Sequence, residues 1–261
     1  MIVPHTDSTR WTVLLPVKPF ALGKSRLAIW AGASRAEWAR AFYLDTLDAI
    51  FHTPLVQQVI VVTADSEAHV LAARAGAKVA DDTPVCGLNA AVHRGATHAA
   101  SSPTGGPVAV LTADLPALRP EELMQVLTDA RHHPRAFLTD HTGSGTTILT
   151  ASTPRMLLPR FEGASRTQHA VTGAHELIIA NVPGARLDVD TPMDLGAALS
   201  LGVGPYSTAL RSNMRELPLP AGSVRVTPGR GATVAPAVPV PPWIPPVLAA
   251  ELFSKVALTC Y

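Results

Sequence analysis

The chain is poor in cysteine, in lysine and in long apolar runs, and each shortage excludes something. Its two cysteines, Cys86 and Cys260, lie far apart with no C-x-x-C or Cys/His ligand spacing, which argues against a disulfide framework or a structural zinc site. No stretch approaches the ~18 uninterrupted apolar residues of a membrane span, and the opening MIVPHTDSTR has no apolar signal core. Charge of one sign is also missing: 21 basic against 20 acidic side chains give +1, so no global field draws nucleic acid or an anionic membrane. The expectation is a soluble cytoplasmic protein with local anion sites. A P-loop is excluded because no G-x-x-x-x-G-K-[ST] occurs, and the turn after the first strand lacks the dinucleotide G-x-G-x-x-G.

What is present is a globular chain of 261 residues, 47% hydrophobic and 16% charged, long enough for a sizeable core. TVLLPV (residues 12–17) reads as a short buried strand. SRAEWARAFYLDTLDAIF (34–51) reads as a helix with Ser34 as N-cap and Glu37 at its third position. The alternation continues with strand QVIVV, a helix from Ser66 to Ala75 closed by Gly76, strand AKVA and a helix led by Gly87. Strand VAVLTAD (108–114), a helix opening at Pro120, and strands AFLTD, TTILTA, ELIIA and RLDVD complete it. Strands spaced by helices predict a mostly parallel, doubly wound α/β sheet with ligands at the C-terminal strand ends. After about residue 206 come nine prolines and little periodicity. The expected division is a domain over 1–205 and a Pro-rich, disordered tail over 206–261.

Two of the chain's four lysines, Lys18 and Lys24, fall with Arg26 in the loop after the first strand. Compact ammonium charges beside a planar guanidinium suit several phosphate oxygens, although a solvated surface loop would read the same way. Asp114 ends its strand at the ligand edge, and Asp188 and Asp190 stand at i and i+2 of RLDVD. Period-two geometry puts both on one face, converging oxygen ligands suited to a hard cation such as Mg²⁺. Thr191-Pro192-Met193-Asp194 independently reads as a helix start. Basic loop and carboxylates together point to phosphoryl or nucleotidyl transfer. HTGSGTTIL (141–149) and RFEGASRTQH (160–169) offer glycines and hydroxyls able to present backbone N–H groups to an anion. A hairpin turn is the other reading of Gly143 and Gly145.

LLPVKPFALGKSRLA, GLNAAV, LTADLPAL and LDVDTPMDL, in that order over about residues 11–205, resemble the CofC/FbiD guanylyltransferases of deazaflavin coenzyme F-420 biosynthesis. The resemblance implies a GT-A-like (MobA-like) nucleotidyltransferase fold and a reaction joining GTP to phosphoenolpyruvate or 2-phospholactate. It makes Asp114, Asp188 and Asp190 the metal and catalytic carboxylates. Lys18, Lys24 and Arg26 would hold the GTP phosphates, with Gly87 and Asn89 along the nucleoside. The acceptor would meet Thr146, Ser165 and the backbone of Glu162, where the family has a glycine; the family's F-G-P-D-S reads Phe161-Glu162-Gly163-Ala164-Ser165 here. A carboxylate beside an anionic acceptor is unfavourable unless it points away. The enzyme that consumes the product is the expected protein partner. His93, His98, His132, His133 and His169 read as surface or packing residues, with an added donor near the acceptor loop as a second reading of His169 alone. Rival expectations are another GT-A enzyme, of cytidylyl or sugar-nucleotide type, and a non-catalytic nucleotide-binding scaffold.

Overall fold

The computed structural model describes residues 10–102 and 106–214. Seven strands form one mixed sheet: β1 (Trp11–Val17), β2 (Val56–Thr63), β3 (Lys78–Asp81), β4 (Val108–Leu111), β5 (Arg135–Thr139), β6 (Thr146–Ala151) and β7 (His175–Glu176). Their order is β3-β2-β1-β4-β6-β5-β7. All pairings are parallel except those of β6, which runs against both β4 and β5. The helices are α1 (Ala28–Ala31), α2 (Arg35–Phe51), α3 (Ser66–Arg74), α4 (Leu88–Ala100), α5 (Pro120–Ala130), α6 (Ser165–Val171), α7 (Pro183–Arg186), α8 (Pro192–Leu201) and α9 (Pro205–Asn213).

The central strands are buried on both faces, which is why they read as continuous apolar runs. Val13, Leu15 and Val17 of β1 join Val59 and Val61 of β2 under α2, α3, α5, α8 and α9. Leu14, Ile60 and Val62 pack on the other face with Ala91, Val92 and Ala96 of α4. Among the described residues no helix is long and apolar enough to cross a membrane.

Four expectations are corrected. ELIIA is a strand only at its start: past Glu176, the Leu177 and Ile179 carbonyls accept from the Arg186 guanidinium, both at 3.4 Å, instead of from a neighbouring strand. RLDVD is no strand; its ladder is reduced to Val189 N–H donating to the Asp114 carbonyl at 3.0 Å. β4 ends at Leu111, so Asp114 lies in the loop beyond it. Ser34 precedes α2 but makes no side-chain cap.

The expected boundary at 205 falls at the start of a packed helix. Tyr206, Ser207 and Leu210 of α9 are buried, and Asp45 of α2 accepts from the backbone N–H groups of Tyr206 (2.9 Å) and Ser207 (3.0 Å). The proline-rich stretch from 215 onward lies outside the described residues.

Candidate active site

Three chain segments meet at the ends of β1 and β4. Because β6 runs antiparallel to β4, its first residue, Thr146, comes to that same edge. The result is an open cavity of about 800 Å³ lined by Lys18, Lys24, Arg26, Asp114, Thr146, Ser165, Asp188 and Asp190 among others, a volume within the range of small-molecule sites.

The loop after β1 is pinned from beneath. Phe20 is buried against the Tyr43 ring at 5.7 Å, and its N–H donates to Asp65, which also caps α3. Arg35 donates to the carbonyls of Gly23 (2.8 Å) and Ala21 (2.6 Å). These anchors leave Lys18 and Arg26 exposed at the cavity. Lys24 takes a left-handed conformation, φ 53°, ψ 40°, uncommon for a residue with a Cβ and often found at functional sites.

Lys24 is not the solvated surface charge a loop lysine suggests. Its side chain is only 10% exposed and bridges Asp114 and Asp190, the latter at 2.9 Å. Burial alone would lower its pKa, but the two carboxylates outweigh that and raise it. Burial likewise works to raise Asp190, yet Lys24, Arg26 and Lys18 hold its carboxyl below the usual range. Among the described residues no lysine or arginine forms an ion pair with Asp188. Burial first, then the charges of Asp114, Asp190 and Asp140, push it up to about 8.

The expected three-carboxylate metal cluster is therefore not preassembled. Among the described residues no three His, Cys, Asp or Glu side chains converge as a metal site; instead the Lys24 ammonium bridges Asp114 and Asp190. The donor set nevertheless suits a hard cation: Asp114 Oδ1 is buried without a hydrogen-bond partner, and a monovalent cation already stands between two carboxylates. Thr191 caps α8 in a reciprocal box with Asp194, as its sequence implies.

Sequence reasoning missed Asp140 and His141. The His141 ring reaches Asp194 at 3.3 Å and Asp188 at 3.7 Å. Asp140 turns the β5–β6 hairpin: it accepts from Ser144 N–H at 3.0 Å and from the Thr142 hydroxyl at 2.9 Å. Gly145 lies in that hairpin, where a Cβ would sit 2.5 Å from the Asp140 carboxylate, and it also lines the cavity. The only legible signal was a histidine and an aspartate beside a motif already singled out.

Gly87, Asn89 and Glu162 do not line the cavity, but they meet beside it, next to the lining residues Leu88 and Phe161. Gly87, at φ 92°, leads α4. Asn89 Oδ1 is engaged in accepting from Phe161 N–H at 2.9 Å, which ties the two loops together. Glu162 Oε1 lies 3.0 Å from where a Gly87 Cβ would stand, so its carboxylate is directed at the α4 end of the site. His93, His98 and His132 are exposed. His169 is a fully buried packing residue behind Thr146, outside the cavity lining, so it is no direct donor there.

A family model described as "Guanylyl transferase CofC like" matches residues 11–220. The chain belongs to this CofC-like guanylyltransferase family. A phosphoenolpyruvate guanylyltransferase of Streptomyces coelicolor is 46% identical over 206 residues, 78% of this chain and 97% of that protein. One of Frankia casuarinae is 39% identical over 264 residues, covering 91% of this chain and 89% of the relative. Among solved structures, a putative nucleotide-diphospho-sugar transferase from Desulfovibrio desulfuricans is similar with TM-score 0.60 and 17% identity, over 83% of this chain and all of that one. A 4-diphosphocytidyl-2C-methyl-D-erythritol synthase from Anaerococcus prevotii gives 0.51 and 9%, over 74% and 95%. These likenesses establish the nucleotidyltransferase fold of this CofC-like chain.

Proposed function

We propose that the chain transfers the guanylyl group of GTP to the phosphate of phosphoenolpyruvate, releasing pyrophosphate and giving enolpyruvyl-2-diphospho-5′-guanosine. The observation that carries this reading is the cationic loop of Lys18, Lys24 and Arg26 sharing one cavity with Asp114, Asp188 and Asp190, Lys24 bridging two of the acids, in a family whose relatives bear that activity's name.

The acceptor phosphate has its second pKa near ~6, so at pH 7 it is already an ionised nucleophile and needs no general base. Its oxygen attacks the α-phosphorus, the bond to the β-phosphate oxygen breaks, and pyrophosphate leaves. The protein's task is positioning and charge stabilisation. Lys18 and Arg26 hold the departing phosphates, joined by Lys24 once it leaves Asp114 and Asp190. Thr146 and Ser165 line the acceptor side, and the Glu162 carboxylate, turned toward Gly87, does not oppose the anion there. Mg²⁺, held by Asp114, Asp188 and Asp190, would neutralise triphosphate charge and polarise the α-phosphate.

2-Phospholactate offers the same phosphate and carboxylate and is the alternative acceptor, and the enzyme consuming the product is the natural protein partner. The reaction is assigned to the cytoplasm, where the exposed free thiol of Cys86 is compatible with reducing conditions.

The test is pyrophosphate release by purified protein with each of the four ribonucleoside triphosphates, Mg²⁺, and phosphoenolpyruvate, 2-phospholactate or 3-phosphoglycerate. The expected result is release with GTP and phosphoenolpyruvate well above every other nucleotide. A CTP preference, or turnover only with a sugar phosphate, would overturn it.

A further inference from the structure

His169 on α6 has no exposed surface, yet both of its ring nitrogens are engaged. Nε2 lies 2.9 Å from the backbone nitrogen of Arg160, whose N–H can only donate. Nε2 must therefore carry a lone pair, and in the neutral ring the proton is on Nδ1. Nδ1 is 3.0 Å from Thr146 Oγ1. The ring N–H thus donates to the hydroxyl oxygen, and the hydroxyl keeps its own hydrogen to give elsewhere. Thr146 lines the cavity, so that hydrogen is available to an anion bound there.

The same ring braces the loop opposite. Phe161 meets it edge-on at 5.0 Å, and Phe137 of β5 packs at 5.8 Å. Phe161 is held in turn by Asn89 of α4. A continuous path of contacts therefore runs from the start of α4, through the 160–163 loop and His169, to the hydroxyl on the first residue of β6.

We propose that His169 is a positioning residue for the acceptor, its Nδ1–H fixing the Thr146 hydroxyl as a donor to the acceptor anion and its Nε2 fixing the loop at Arg160. The proposal rests on the functional reading above, which assigns that side of the cavity to the acceptor. The residue touches no substrate; it acts through Thr146 and the Arg160 backbone.

Two measurements test it. In the full chain, ¹⁵N NMR of the histidine rings at pH 7.5 is expected to show His169 as the neutral Nδ1–H tautomer; an Nε2–H tautomer, or a charged ring, overturns the proposal without any variant. In steady-state kinetics, His169→Phe is expected to raise KM for phosphoenolpyruvate by on the order of 10-fold or more, the scale of one lost hydrogen bond to a charged group, with KM for GTP nearly unchanged. His169→Asn, which can return an N–H near the Nδ1 position, is expected to recover part of that loss. Thr146→Val in the His169→Phe background should add little, because the two act as one unit. Equal rises in both KM values, or additive effects, would reduce His169 to a packing residue. A parent enzyme that turns over no phosphoenolpyruvate sinks the functional reading instead, and that is seen before any variant is compared.

Discussion

Lys24 and Asp190, 166 residues apart in sequence, are joined Nζ to Oδ1 at 2.9 Å, and the same ammonium reaches Asp114. One side chain thus links the cationic loop after β1 to both acidic segments. Lys24→Met should therefore affect more than catalysis. Removing the cation leaves Asp114 without its ion-pair partner and Asp190 with only the more distant Arg26 and Lys18, at a cost on the order of 1–3 kcal/mol, since Asp190 is half exposed. Thermal melting without metal should fall, and Mg²⁺ should restore more stability to the variant than to the parent. An unchanged melting temperature would mean the bridge contributes nothing.

The second prediction concerns pH. The ordinary histidine pKa is 6.5, and in the folded chain burial, then Arg135 and Arg160, lower that of His169 to about 4. A base with a depressed folded-state pKa contributes stability that is fully present above its unfolded value and lost as pH falls through the folded one. The parent should lose up to about 3 kcal/mol from this group between roughly pH 6.5 and 4. His169→Phe should lack that component. Parallel pH–stability curves for the two proteins would contradict the assignment.

The third prediction concerns α9. A chain ending at 205 discards α9, and with it the Tyr206 and Ser207 N–H donors to Asp45 and the buried Tyr206 and Leu210 side chains; the lost apolar burial alone costs roughly 3–6 kcal/mol. Such a chain should lose cooperative unfolding, whereas one ending at 220, where the family match stops, should keep it. Equal stability of the two would show that α9 is dispensable.

The sheet and most helix starts were legible because burial on both faces writes continuous apolar runs and caps write local polar signatures: β1, β2 and the helix start at Thr191 read directly. The site residues were legible as chemistry more than as geometry. Asp188 alternates with buried Leu187 and Val189 as a strand would, but alternation cannot report that no neighbouring strand is available. Lys24 reads as a loop charge, since its burial depends on Asp114 and Asp190 arriving from distant segments. The role of His169 is likewise tertiary, set by its hydrogen bonds to Thr146 and Arg160, whereas Asp140 makes local turn contacts to Thr142 and Ser144 of a kind a sequence can carry.

If Asp114, Asp188 and Asp190 form the centre of guanylyl transfer, replacing Asp188 must largely abolish turnover without unfolding the chain. Burial, then its acidic neighbours, push Asp188 up to about 8, so Asp188→Asn keeps the shape and removes a group whose ionised form the fold disfavours. Pyrophosphate release from GTP and phosphoenolpyruvate is measured alongside the melting-temperature shift on adding Mg²⁺ plus GTP. The predicted result is a variant at least as thermally stable as the parent without metal, with a smaller ligand-induced shift and turnover reduced on the order of 100-fold or more. Full turnover with an undiminished shift would contradict the claim.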